Sequence, residues 1–441
     1  MPVIQTGLSP SQSHKPFRAV LDNGIVVLVS ENPITDIIAA RLFVRAGSRW
    51  DPPEQMGLAS LLAAVLTKGT DQLSSMDIAE QVESVGASLG ADATSDYFLI
   101  NLKTVSADFS SILALAAELM RSPSFPEAEV ALEQRLTLQN IRSQQEQPFS
   151  VAFDQLRRLM YHDHPYGFST LGTEETVSRI GREDLLRYHQ QFFRPDNLVI
   201  SLSGRITPTE AIALIEGVFG DWAIPEQPLP TLDLYPPQTQ PRTSITPQAT
   251  QQSVVMLGYL AAPVPTAADL LSGPIDYPAL KLLNTYLGNG LSSRLFVELR
   301  EKRGLAYDVS AFYPTRLDVS QFVVYMGTAP SNTAIAVEGL EREVRRLRDL
   351  CLSEEELQAA KNKLLGQYAL GKQTNAQIAQ VYGWYETLGL GVEFDGAFQE
   401  AIAAVTPEAA LAVAQRYFLE PYRSLVGPES AVSAIASPAV L

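Results

Sequence analysis

Apolar positions alternate at two places near the start of the chain, 24-GIVVLVSEN-32 and 37-IIAARLFVRAGS-48. Alternation with period two predicts strands, and the turn signal 22-DNG-24 precedes the first, so the two runs read as a β-pair. The pattern then changes to helical spacing over 57-GLASLLAAVLTKG-69 and 77-DIAEQVESVG-86. A strand pair is expected across 87–105, and helices over 107–121 and 126–146. Further on, 187-RYHQQFFRPDNLVISLSG-204 reads as a helix end, a proline turn and a buried strand.

The same order returns later. A strand is expected over 252–263, helices over 277–288 and 292–302, strands within 306–329, and helices over 331–349 and 353–371. The stretch 412-AVAQRYFLEPYRSLVGP-428 repeats the helix end, proline turn and buried strand. Between the two series lies 223-AIPEQPLPTLDLYPPQTQPRTSITPQ-248, which holds seven prolines and no amphipathic period. Proline withholds backbone donors and favours extended chain, so this stretch reads as a semi-rigid linker. The expected fold is α+β: two homologous α/β-sandwich domains in tandem, each a mainly antiparallel sheet covered by helices. Their bounds are 17–222 and 249–428, with the linker at 223–248.

Composition narrows the function. The chain has 441 residues, 46% of them hydrophobic and 19% charged, which is the balance of a globular protein. Its 33 Lys+Arg against 49 Asp+Glu give a net charge of −16. That charge disfavours nucleic acid and anionic membrane surfaces as partners, because both need a basic face. The single cysteine, Cys351, leaves no internal disulfide and favours a reducing compartment. The apolar run 58-LASLLAAVL-66 is far too short to span a membrane, and the amino terminus lacks a basic-then-apolar leader. A cytoplasmic location is expected.

Two segments carry more specific chemistry: 57-GLASLLAAVLTKGT-70 and 292-SSRLFVELREKRGLAY-307. Together with 161-YHDHPYGF-168 and the FRPDNLVI strand, they resemble the pitrilysin/insulinase-type metallopeptidases. The nearest branch is that of the mitochondrial processing peptidases and their bacterial relatives. The resemblance runs from about Phe17 to about Gly427. In active members the first segment carries His-x-x-Glu-His on a helix. Histidines at i and i+4 share one face and bind zinc, the glutamate polarises the metal-bound water, and a downstream glutamate is the third ligand.

Laid on this chain through Gly57, Lys68, Gly69 and Thr70, the pattern puts the histidine positions at Ser60 and Ala64. The general base falls at Ala63 and the distal ligand at Asn140. Alanine offers no donor, and a neutral hydroxyl or amide is a poor zinc ligand beside imidazole and carboxylate. The expectation is therefore that this chain binds no zinc or other cofactor. Of the chain's four histidines, His14, His162, His164 and His189, only His162 and His164 are close together, and they read as part of a packing loop. Ser60 lacks the strand–turn elbow and His–Asp pair of a serine nucleophile. Glu133, two helical turns before Asn140, is expected to be solvated or locally paired. The glycines of 286-YLGNGLSS-293 read as a turn opening a helix, not as a phosphate cradle.

The second segment keeps the family's Arg-x-x-x-x-x-x-Tyr spacing, at Arg300 and Tyr307. In the family this pair reaches across to the zinc site and holds the substrate: the phenol donates to the developing oxyanion and the guanidinium clamps peptide carbonyls. The resemblance thus implies a non-catalytic, substrate-binding subunit of a heterodimeric zinc metallopeptidase. Its partner is expected to be a homologous catalytic subunit carrying His-x-x-Glu-His and the zinc. The substrates are expected to be extended peptides or unfolded segments, bound in part as an added strand, and the net charge suggests basic ones. Two alternatives stay open: an inactive scaffold of the respiratory core-protein kind, and a homodimeric pseudoenzyme that binds peptides without cutting them.

Overall fold

A computed structural model describes residues 15–237 and 240–436. The first unit runs β1 (Phe17–Val20), β2 (Val26–Glu31), β3 (Ile37–Val44), α1 (Leu58–Val65), α2 (Ser75–Ser84), β4 (Ser88–Ala93) and β5 (Phe98–Val105). It continues through α3 (Phe109–Arg121), α4 (Glu127–Glu146), α5 (Pro148–Tyr161), α6 (Glu174–Val177), α7 (Arg182–Phe192), β6 (Leu198–Gly204) and α8 (Pro208–Phe219). The second unit has β7 (Thr243–Pro247), β8 (Ser253–Ala261), α9 (Ala267–Ser272), α10 (Asp276–Gly288), a π-helical turn (Phe296–Glu301), β9 (Ala306–Phe312) and β10 (Ser320–Thr328). It ends with α11 (Thr333–Asp349), α12 (Glu354–Leu370), α13 (Asn375–Thr387), α14 (Phe394–Ala404), α15 (Pro407–Tyr417), β11 (Tyr422–Gly427) and α16 (Glu429–Ala436).

The sheets repeat each other. The first has the order β1-β2-β6-β3-β5-β4 and the second β7-β11-β8-β10-β9. Without β1 the two orders match strand for strand. Each has one parallel pair at the same place, β2 with β6 and β7 with β11, and antiparallel pairs elsewhere. The α+β expectation of two helix-covered sheets in tandem therefore holds.

Three local expectations need correction. The runs at 24–32 and 37–48 are strands but not neighbours, because β6 lies between them. Every residue of β6 is buried, so it takes a central place with a strand on each edge. The proline-rich stretch 223–248 contains β7, which pairs with β11 at the sheet's edge, where proline is tolerated. Finally, the segment 292–302 is π-helical over its second half rather than α-helical.

Each sheet packs its own helices on one face. Leu42, Ile100, Leu102 and Ile200 meet α1, α3, α7 and α8 in the first core, and Leu257, Phe322 and Val324 meet α10, α11 and α15 in the second. The opposite faces are covered by exchange. Helix α5 of the first unit lies across β7, β8 and β11, and α13 of the second lies across β2, β3 and β6. Residues Leu156, Met160 and Tyr161 pack on Val254, Met256 and Val426. Trp384 packs with Val26, Phe43 and Val199. Each of these two helices thus welds its own unit to the other one.

Candidate functional site

Helix α1 is set at its start by a half-buried aspartate. Asp51 accepts hydrogen bonds from Gly57 N (2.9 Å) and Ala59 N (3.1 Å), satisfying donors that the first helical turn leaves without partners. Gly57 adopts φ +99°, and a side chain there would also strike the Leu171 carbonyl. Burial pushes the Asp51 carboxyl up to about 8 against the opposing pull of those backbone donors.

This helix carries the positions where the resemblance places a metal. Ser60 spends its hydroxyl on the Thr170 carbonyl, 2.6 Å away. Ala63 is buried in the first core, and Ala64 is half-buried. Asn140 is exposed on α4, which packs against α1. Glu133 forms an ion pair with Lys68 at 3.0 Å. The fold brings the four positions onto two adjoining helices, but their chemistry does not fit a zinc ion: two offer no donor atom and a third donates its hydroxyl proton elsewhere. Among the described residues, no group of three or more His, Cys, Asp or Glu side chains is placed to hold a metal.

His14 lies outside the described residues. His162 is exposed and pairs with Asp163 (2.8 Å). His164 is buried and accepts from Tyr166 N at 3.1 Å, and burial lowers its pKa. Its loop is a packing element. Tyr166 donates to Asp96 (2.6 Å), whose carboxylate also meets Arg49 (3.2 Å) and, from the second unit, Arg316 (3.6 Å). His189 donates to the Met120 carbonyl (2.8 Å) between Phe125 and Phe193.

The second segment divides by role. Leu295 and Leu299 enter the core, and Arg294 is fixed by Glu343 (2.8 Å) and the Tyr286 hydroxyl (3.2 Å). Arg300 is exposed at the end of the π-helical turn, its guanidinium 5.0 Å from the Phe296 ring centroid. Gly304, at φ +61°, then reverses the chain into β9. On β10, consecutive residues Gly327 and Thr328 face Asp308 and Ala306, so Tyr307 is a bulged residue without a cross-strand partner. A bulge re-aims a side chain, and Tyr307 is 61% exposed on an edge strand. Neither side chain has a hydrogen-bond or ion-pair partner among the described residues.

The structure therefore keeps the two sets apart. Ser60, Ala63, Ala64 and Asn140 belong to α1 and α4, whereas Arg300 and Tyr307 belong to the π-helical turn and β9, which pack on each other. Sequence reasoning missed an aromatic cluster between the units, in which Phe149 and Phe153 of α5 meet Tyr325 and Phe312. The i, i+4 spacing of the two phenylalanines was its signal. None of the described helices is long and apolar enough to cross a membrane.

Comparison with known proteins covers both units. Residues 26–174 match the family model described as insulinase (peptidase family M16), and residues 179–364 match that of the peptidase M16 inactive domain. The chain is 26% identical to the uncharacterized zinc protease YmxG of Bacillus subtilis over 413 residues, covering 93% of this chain and 98% of that one. It is also 26% identical to an uncharacterized zinc protease of Streptomyces coelicolor, covering 93% and 89%. In fold it is similar to the peptidase M16 inactive domain from Pseudomonas fluorescens (TM-score 0.84, 24% identity, 94% and 98% covered). A protease from Helicobacter pylori is equally similar in fold (TM-score 0.84, 21% identity, 94% and 99% covered). With both halves matched in order across two repeated units, the chain belongs to the M16 peptidase family, the pitrilysin/insulinase group.

Proposed function

We propose that this chain is the non-catalytic, substrate-binding subunit of a heterodimeric zinc metallopeptidase. The observation that carries the reading is an asymmetry. Arg300 and Tyr307 are exposed and uncommitted, while α1 of the same chain has no ligand for them to serve. Exposed groups of this kind are suited to a site completed by a second chain. That partner is a homologous subunit carrying His-x-x-Glu-His, and its zinc supplies the activated water.

In this chain's share of the work, an extended peptide lies along an open sheet edge. β9 and β4 are both edge strands with unpaired backbone groups, so main-chain hydrogen bonding can hold any sequence. Arg300 clamps peptide carbonyl oxygens. The Tyr307 hydroxyl donates a hydrogen bond to the oxygen that becomes negative in the tetrahedral intermediate. Nothing in these roles needs a metal in this chain.

The test is recovery of the tagged chain from its own cells. A stoichiometric partner with an intact His-x-x-Glu-His, and chelator-sensitive peptide hydrolysis by the pair alone, are expected. Recovery only as a metal-free homodimer, or inside a membrane redox complex, would overturn the proposal.

A further inference from the structure

A cleft of about 520 Å³ opens between α4, α5 and the segment 169–173. That is the size of pocket that takes one or two large side chains. Its apolar wall is Phe149, 39% exposed, and Phe153. Both rings are held from behind by the second unit: Phe149 meets Tyr325 edge-on at 4.9 Å, and Phe153 meets Phe312 at 5.4 Å. The wall exists only because α5 is exchanged onto the other sheet.

The polar side of the cleft is unbalanced. Asp154 is its one carboxylate, and it is shared by two guanidinium groups, Arg157 at 2.8 Å on one oxygen and Arg158 at 3.0 Å on the other. Arg157 also donates to the Phe168 carbonyl (3.1 Å) and lies 4.9 Å over the Phe153 ring. Its Nε–H, although buried, finds no acceptor among the described residues. Arg158 stays 54% exposed at the mouth. A chain of net charge −16 thus presents a local surplus of positive charge beside two aromatic faces. That combination asks for an acceptor with a large apolar neighbour.

We infer that this cleft receives a carboxylate-bearing residue of a bound peptide together with an adjoining aromatic or large aliphatic side chain. The ring lies against Phe149 and Phe153, and the carboxylate meets Arg158 and Arg157. The inference deepens the proposed function, on which it rests for the peptide being a substrate. It also replaces the preference for basic peptides that net charge alone suggests. The cleft is joined to the gripping residues: Tyr325 donates to Asp308 at 3.1 Å, and Asp308 is the neighbour of Tyr307 on β9.

The carboxylate can come from a chain terminus or from an acidic side chain, and binding probes separate them. Fluorescence anisotropy with the isolated full chain compares a labelled peptide ending in phenylalanine, its C-terminal amide, and that amide with glutamate or with lysine beside the phenylalanine. The two acidic probes are expected to bind about tenfold or more tightly than the neutral amide. The tighter of the two identifies the source. Phe149→Ala and Arg158→Gln, at partly exposed positions that leave the fold intact by circular dichroism, are each expected to weaken binding by about tenfold. Arg157→Gln serves as a third variant where it folds. Equal binding of acid and amide, preference for lysine, no binding at all, or indifference to both exposed variants would overturn the inference. Because the assay reads binding without a partner, its failure leaves the subunit reading standing, and failure to find a partner leaves this result standing.

Discussion

Replacing His189 by glutamine should remove a defined part of the protein's sensitivity to acid. The imidazole is buried between Phe125 and Phe193 and donates Nε2–H to the Met120 carbonyl at 2.8 Å. Burial lowers its pKa from 6.5 to about 4, against a smaller upward pull from that carbonyl. The fold therefore prefers the neutral ring. Above pH 6.5 neither the folded nor the unfolded chain holds the proton, and the site's full stability is present. As pH falls from 6.5 toward 4, the unfolded chain takes up a proton that the folded chain refuses, and stability is lost. A change from 6.5 to about 4 corresponds to about 3 kcal/mol. Near pH 5 the slope is about 1 kcal/mol per pH unit. Glutamine can donate to the same carbonyl but does not titrate. Urea unfolding at pH 7.5, 6 and 5 should show the wild type losing stability faster than His189→Gln, whatever the offset at pH 7.5. His164, lowered by burial, and Asp51, raised by it, titrate in both proteins and cancel. Parallel pH curves would refute the argument.

Two other expectations concern function. In the reconstituted pair, Tyr307→Phe should lower turnover by about 10²–10³ if the phenol donates to the oxyanion, with peptide binding to the isolated chain little changed. An unchanged rate would reduce Tyr307 to an exposed strand residue. Metal analysis of the isolated chain should find no stoichiometric zinc after purification without chelator, because Ala63 and Ala64 offer no donor atom. One tightly held equivalent would mean that the register through Gly57 and Gly69 is wrong.

What the sequence made legible was mostly local. The alternation at 24–32 and the helical spacing at 57–69 fix element type, because period two and period 3.6 bury different sets of residues. The repeated helix end, proline turn and buried strand at 187–204 and 412–428 exposed the repeat. Pairing was not legible: nothing in 24–48 says that a strand 150 residues later enters between β2 and β3. Nor does the amphipathic stripe of α5 say which sheet it covers. The site divides in the same way. The residues that the resemblance sets at the ligand and base positions, Ser60, Ala63, Ala64 and Asn140, and the Arg300–Tyr307 spacing, are properties of short segments. The bulge that turns Tyr307 outward depends on its register with β10. The aromatic cleft draws on α4, α5, the 169–173 segment and the far sheet, so only the assembled chain contains it.

The helix exchange that makes this cleft can be tested by the sign of one substitution. Glycine inside a helix is worse than alanine by about 1 kcal/mol, so Gly→Ala should stabilise wherever space allows. Gly366, on the exposed face of α12, has nothing within 4 Å of an added methyl group. Gly383, in α13, faces the first sheet, where an added Cβ would come 2.3 Å from the Phe43 ring and 2.8 Å from Ser201 Cβ. Phe43 is fully buried and packed edge-on against Tyr97 at 5.4 Å, so its ring has nowhere to swing. Overpacking of this kind costs about 1–3 kcal/mol, enough to reverse the helical gain. Gly366→Ala should therefore raise the unfolding midpoint and Gly383→Ala should lower it, although both are the same change in the middle of a helix. If both raised it, α13 would not press on the first sheet closely enough to hold the two units as one body. The matching packing of α5 against Gly258 on β8, which positions Phe149 and Phe153, would then come into doubt as well.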